Sequence, residues 1–208
     1  MKTLLQNARC IVTCDDNDSI RRGADVLLQD GVISAIGKLG NVAADEVVDA
    51  SKLILYPGLI NTHHHLYQYF TRNLRHVQNL ELFDWLTALY DIWAHLNEDT
   101  VRLSSLSGMG ELMKYGCTTC FDHHYVFPNG AGDLLAAQFS AAESLGMRMV
   151  SSRGSMSLSR KDGGLPPDSV VQTGDEILHD SKNAIERYHH ASAFAMRQVA
   201  LAPCSPFA

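Results

Sequence analysis

The chain has 208 residues, 46% of them hydrophobic, and a formal net charge of −6. That is enough apolar material for a globular core and unlike a disordered chain. The mild acidity gives no basic footprint for nucleic acid or an anionic membrane. No run approaches the ~18 apolar residues of a membrane span.

The opening, MKTLLQNARCIVTCDD, lacks a long apolar segment and a small-residue cleavage site, so it reads as mature sequence. Five cysteines, Cys10, Cys14, Cys117, Cys120 and Cys204, are odd in number and scattered. They predict reduced thiols in a cytoplasmic protein, not a disulfide framework. Cys117 and Cys120 form a C-x-x-C, but within an apolar run that reads as a strand. Residues three apart on a strand point to opposite faces, which predicts packing rather than a redox or metal pair.

Residues 1 to 55 predict short strands and turns, a small β-rich unit. Val26 to Leu28 and Val32 to Ile36, joined through Asp30-Gly31, predict a hairpin, because Asp-Gly supplies the positive φ of a tight turn. From residue 54 the pattern becomes strand, loop, helix. Leu53 to Ile60 is an apolar run ending in Asn61-Thr62-His63. Residues 80 to 94 and 98 to 115 predict helices, the second capped by Asn97 and followed by Gly116. Strands at 117–122, 147–152 and 198–202 alternate with helices at 134–145, ended by Gly146, and from Thr173 to about Tyr188, opened by a Thr173–Glu176 capping box. Residues 154–173, rich in Gly, Ser and Pro, predict a long loop, and 203–208 an exit loop. The fold class is therefore α/β with a parallel sheet. Four such strands are half of a (β/α)8 barrel, which typically takes ~250 residues. An open flavodoxin-like sheet is the competing architecture, without a Gly-rich phosphate loop here.

The chemistry lies in Tyr56-Pro-Gly-Leu-Ile-Asn-Thr-His-His-His-Leu. His63 and His65, two apart at a strand end, share one face, with His64 on the other. Two neutral imidazoles side by side suit Zn²⁺. Three histidines in a surface loop is the alternative, opposed by the apolar strand before them and the aromatic stretch Leu66-Tyr67-Gln68-Tyr69-Phe70 after. Polar side chains at barrel strand ends are often functional. His123 after the second strand and Arg153 after the third are therefore candidate pocket residues. Cys204 follows the fourth strand, as pocket residue or as packing. Trp93 is a candidate cover for a planar ring, or a helix-buried core residue. His76, His95, His179, His189 and His190 are read as without a role.

PGLINTHHHLYQ resembles the first barrel strand of the amidohydrolase superfamily, and the β unit before it the sandwich domain of these enzymes. LFDWLTALYDIW, CTTCFDHHYVFPNG, SSRGSMSLSRKDGGLPPDSVVQ and LAPCSPF are similar to the branch of 8-oxoguanine deaminase and the triazine hydrolases. The resemblance covers essentially all of the chain. It implies residues 1–55 as part of a β-sandwich and 56–208 as the first half of the barrel, to strand four. It makes His63 and His65 the first two metal ligands and Gln68 the substrate-side glutamine. The family's further histidine ligands, aspartate and proton-shuttling glutamate follow strands five, six and eight. They are expected beyond Ala208, so no catalytic residue is assigned here. Binuclear members often carry a modified lysine at the end of strand four. Ala202-Pro203-Cys204-Ser205-Pro206 has none, which implies one Zn²⁺ per subunit.

The implied reaction is metal-assisted deamination of a purine-like ring, 8-oxoguanine to urate and ammonia, by a homo-oligomer with a small heterocyclic substrate as partner. Removal of an amino, chloro or thiomethyl group from a triazine-like ring is the second reading, and a noncatalytic truncated protein or scaffold the third. An isolated half barrel also predicts open sheet edges and self-association.

Overall fold

The computed structural model describes residues 1–205. Its contacts divide it into Met1–Gly58 and a second unit from Leu59 onward. In the first unit the predicted hairpin is present. Gln29 pairs with Val32 across it. Asp30 and Gly31 sit at φ 50° and 84°, the two left-handed residues that a type I′ turn needs. The strands are β1 (Lys2–Ala8), β2 (Cys10–Val12), β3 (Ile20–Arg21), β4 (Ala24–Gln29), β5 (Val32–Gly37), β6 (Glu46–Asp49) and β7 (Ile54–Leu55). They form one sheet ordered β5-β4-β1-β6 and a smaller one ordered β3-β2-β7. Residues of both sheets, Ala8, Ile11, Ala24 and Val26, meet in one small core with Ala50.

The second unit contains β8 (Leu59–His64), α1 (Leu82–Trp93), α2 (Glu98–Lys114), β9 (Cys117–Asp122), α3 (Leu134–Leu145), β10 (Arg148–Ser155), α4 (Gly174–Tyr188) and β11 (Arg197–Pro203). The four strands are parallel and lie in the order β11-β10-β9-β8. Chain order equals spatial order, with no reversal. A flavodoxin-like sheet reverses at a switch point, so the winding is that of a barrel.

Local chemistry explains the boundaries. The Asn97 side chain accepts from Thr100 N–H, and Thr100 Oγ1 from Asn97 N–H, a reciprocal cap that opens α2. Thr173 and Glu176 do the same for α4. Gly146 ends α3 at φ 67°, where a side chain on Cβ would be strained. The apolar run Leu53 to Ile60 is the exception. It forms two strands, β7 and β8, in different sheets, because Pro57 has no N–H to give a ladder. β10 runs three residues past its expected end, to Ser155, paired with β11 throughout.

Met109, Cys117, Cys120, Phe139, Met147 and Met149 form the core between sheet and helices. Cys117 and Cys120 are free thiols, and burial pushes the Cys120 thiol up to about 12. On the edge strands β8 and β11, Leu59, Ile60 and Leu201 are each more than half exposed. No helix among the described residues is long and apolar enough to cross a membrane.

Candidate metal centre

The site begins where β8 ends. The Nε2 atoms of His63 and His65 face each other at 3.1 Å. Nδ1 of His65 lies 2.8 Å from the carbonyl oxygen of His123. A carbonyl only accepts, so Nδ1 carries the proton and Nε2 keeps its lone pair, aimed at His63. Such an outer hydrogen bond fixes the tautomer of a metal-ligating histidine. Two nitrogen ligands at ~2.0–2.1 Å on a tetrahedral zinc stand roughly 3.3–3.4 Å apart, so the observed pair fits. Its other reading is a plain N–H···N hydrogen bond. His123 stacks on His63, ring centroids 4.2 Å apart. Burial holds His65 at about 4, far below an ordinary imidazole, so it is neutral at physiological pH. Among the described residues no third His, Cys, Asp or Glu joins this pair.

After His65 the chain makes a 3-10 turn, Leu66–Thr71. α2 packs so closely on it that a Cβ on Gly108 would lie 2.7 Å from Leu66 Cδ2. This turn and the next residues line an open cleft of about 540 Å³ with His63, His65, Gln68, Arg72, Gln78 and Trp85 on its walls. The Arg72 guanidinium lies 3.6 Å from the centre of the Tyr69 ring. Amide, guanidinium and indole groups around two imidazoles suit a flat, polar, heterocyclic ligand.

Beneath the turn lies a fully buried polar network. Asp122 accepts from Leu66 N–H at 2.6 Å and from Gln138 Nε2 at 2.5 Å, and Ser151 Oγ donates to Gln138 Oε1 at 2.5 Å. Burial lifts Asp122 to about 7 against the pull of those donors. Burial likewise drops neighbouring His124 to about 3. His124 Nε2 and His64 Nδ1 are buried without a hydrogen-bond partner among the described residues.

Of the residues singled out in the sequence, His63, His65 and Gln68 share the cleft, and His123 stands directly behind the pair. Trp93 does not cover a ligand. It is 1% exposed in the core, and its Nε1 donates to Thr71 Oγ1 at 3.2 Å, bracing the turn from below. Trp85, one α1 face away, is the indole on the cleft wall. Arg153 points into the protein, 2% exposed. Its guanidinium is taken up by Asp180 and Gln172 at 2.6 Å each, and by the Gly154 carbonyl. These contacts lie inside the protein, and the pair with Asp180 ties β10 to α4. Cys204 packs against the aromatic core around Tyr67 and Tyr90. Pro206, Phe207 and Ala208 of the expected exit loop lie outside the described residues. Sequence reading missed Arg72, Gln78 and Trp85. The first two each follow directly on a short 3-10 turn, Leu66–Thr71 and Arg75–Val77, and such turns have no hydrophobic period to mark them.

An imidazole pair closes a parallel strand at its C-terminal end, with a polar cleft above it, and that end of the strands is where barrel enzymes carry their sites. The amidohydrolase family model matches residues 54–208, and the chain belongs to that family. It is 43% identical to an 8-oxoguanine deaminase of Pseudomonas aeruginosa, over 99% of this chain and 46% of that protein. It is 37% identical to a hydroxydechloroatrazine ethylaminohydrolase of Pseudomonas sp. strain ADP, over 98% of this chain and 45% of the relative. An atrazine chlorohydrolase of Arthrobacter aurescens TC1, solved in complex with zinc, superposes with a TM-score of 0.92 at 29% identity, covering 99% of this chain and 47% of that one. The chain thus spans about half the length of the relatives it matches.

Proposed function

We propose that this chain provides the first half of the barrel of a zinc-dependent deaminase, acting on a purine-like ring and best suited to 8-oxoguanine. The observation that carries the reading is the convergence of His63 and His65 Nε2 at 3.1 Å, with the His65 tautomer set by His123. When bound, zinc supplies Lewis acidity and a water acidic enough to act as nucleophile near neutral pH. The chain's own residues hold and orient. His63 and His65 offer imidazole nitrogen ligands. Gln68, Gln78 and Arg72 offer donors, and the two amides also acceptors, to the polar edges of a ring. Trp85 gives it an apolar face. Unpaired buried donors discriminate strongly against a ring whose edge does not match.

The 43% identity to an 8-oxoguanine deaminase supports the substrate. The 37% identity to a triazine aminohydrolase favours the second reading, amine release from a triazine ring. Ammonia release from 8-oxoguanine, measured on the full gene product that carries this sequence, separates them. Turnover that vanishes in His63→Ala and His65→Ala supports the proposal. Turnover of hydroxylated aminotriazines with none of 8-oxoguanine favours the second reading.

A further inference from the structure

The β8–β9 register shifts between Asn61 and His64, just where the ligands begin, and resumes with the pair His64–Asp122. Three hydrogen bonds from two consecutive residues secure the strand end past the shift. His123 N–H donates to the His64 carbonyl at 2.7 Å. The His123 carbonyl accepts from the His65 ring at 2.8 Å. The Asp122 carboxylate accepts from Leu66 N–H at 2.6 Å. The last is the only one a side chain of β9 supplies, and it meets the first N–H of the 3-10 turn, a group without a partner inside that turn.

We infer that Asp122 is a positioning residue, whose buried carboxylate fixes the backbone that aims His65 at His63. This rests on the metal reading proposed above. The carboxylate is itself held. Asp122 is wholly buried, its second oxygen accepts from Gln138 of α3, and Gln138 accepts from Ser151 of β10. The relay ties the turn after β8 to a helix and a strand that carry none of the candidate ligands. On the turn's far side Leu66 is pressed against Gly108, so Leu66 is clamped from both sides and has little room to move.

The test compares the wild-type chain with Asp122→Asn and Asp122→Leu, without zinc, by amide hydrogen exchange at Leu66 and by the ¹⁵N shifts of the His65 ring. Asn keeps an acceptor for Leu66 N–H, and Gln138 can turn its amide over to meet the new NH₂. Leu keeps the branched shape and accepts nothing. We expect Asp122→Leu to exchange Leu66 at least tenfold faster and to lose the Nδ1–H signature of His65, and Asp122→Asn to restore both. Wild-type exchange and tautomer in a folded Asp122→Leu overturn the inference. If that variant does not fold, Asp122→Ala removes the same acceptor without added bulk, and unchanged Leu66 exchange there overturns it equally. Neither readout needs metal. A wild type that keeps both signatures yet takes up no zinc at His65 sinks the metal reading and leaves the positioning role standing.

Discussion

His65 and His123, 58 positions apart in the chain, are joined by a 2.8 Å hydrogen bond from ring to carbonyl, and this contact decides which nitrogen of His65 faces His63. Burial, against the opposing pull of that hydrogen bond, keeps His65 neutral over nearly the whole working range of pH. An NMR titration should find the His65 ring titrating near 4, with the proton on Nδ1 above that. A midpoint above 6 contradicts the burial that causes the shift.

Two neighbouring buried groups pull stability in opposite directions. His124, held at about 3, stays neutral when folded but takes up a proton when unfolded below ~6.5. Its contribution is present above that value and is lost as pH falls toward 3. Asp122, held at about 7, keeps a proton when folded that the unfolded chain releases near ~3.9. It costs stability as pH rises from ~4 to ~7. In the wild type the two slopes offset each other between ~4 and ~6.5. Denaturant unfolding of His124→Gln should therefore show stability falling from pH 4 to 7, and of Asp122→Asn stability rising from pH 3 to 6.5, by a few kcal/mol at most. Equal pH slopes in all three proteins contradict this.

Gly154 is a packing requirement. A Cβ there would meet the Tyr125 Cβ at 2.4 Å and the His124 carbonyl oxygen at 2.6 Å. Backbone atoms cannot rotate away as a flexible side chain can. Gly154→Ala should cost about 3 kcal/mol in unfolding free energy, the upper end of overpacking. A loss below ~0.5 kcal/mol contradicts the close approach.

The two tryptophans should report differently. Trp85 lines the cleft and Trp93 is core. A heterocycle that enters the cleft should quench the fluorescence of Trp93→Phe and leave that of Trp85→Phe unchanged. The reverse pattern puts the ligand elsewhere.

How much of this was legible beforehand follows from where periodicity operates. α2 and α4 were marked by Asn97 and by Thr173–Glu176, and α3 by Gly146, because caps are local chemistry. The histidine pair was legible because a two-residue spacing at a strand end has one geometric outcome. Leu53 to Ile60 reads as a single apolar run, and Pro57 divides it into two strands. Arg153 was read by its position after β10, yet a strand end alone does not say that Asp180, 27 residues later, will claim its guanidinium. The Asp122–Gln138–Ser151 relay left a faint signal, a carboxylate closing an apolar strand and a lone glutamine inside LLAAQFSAA. Only tertiary packing joins them.

The central claim is that His63 and His65 form a metal-binding pair. Isothermal titration with Zn²⁺ of the full gene product that carries this sequence tests it most directly, comparing wild type with His63→Ala, His65→Ala and the exposed His76→Ala. The account predicts one zinc per chain, at least tenfold weaker binding in each of the first two variants, and no change in the third. Equal binding by wild type and His65→Ala, or none in either, contradicts it.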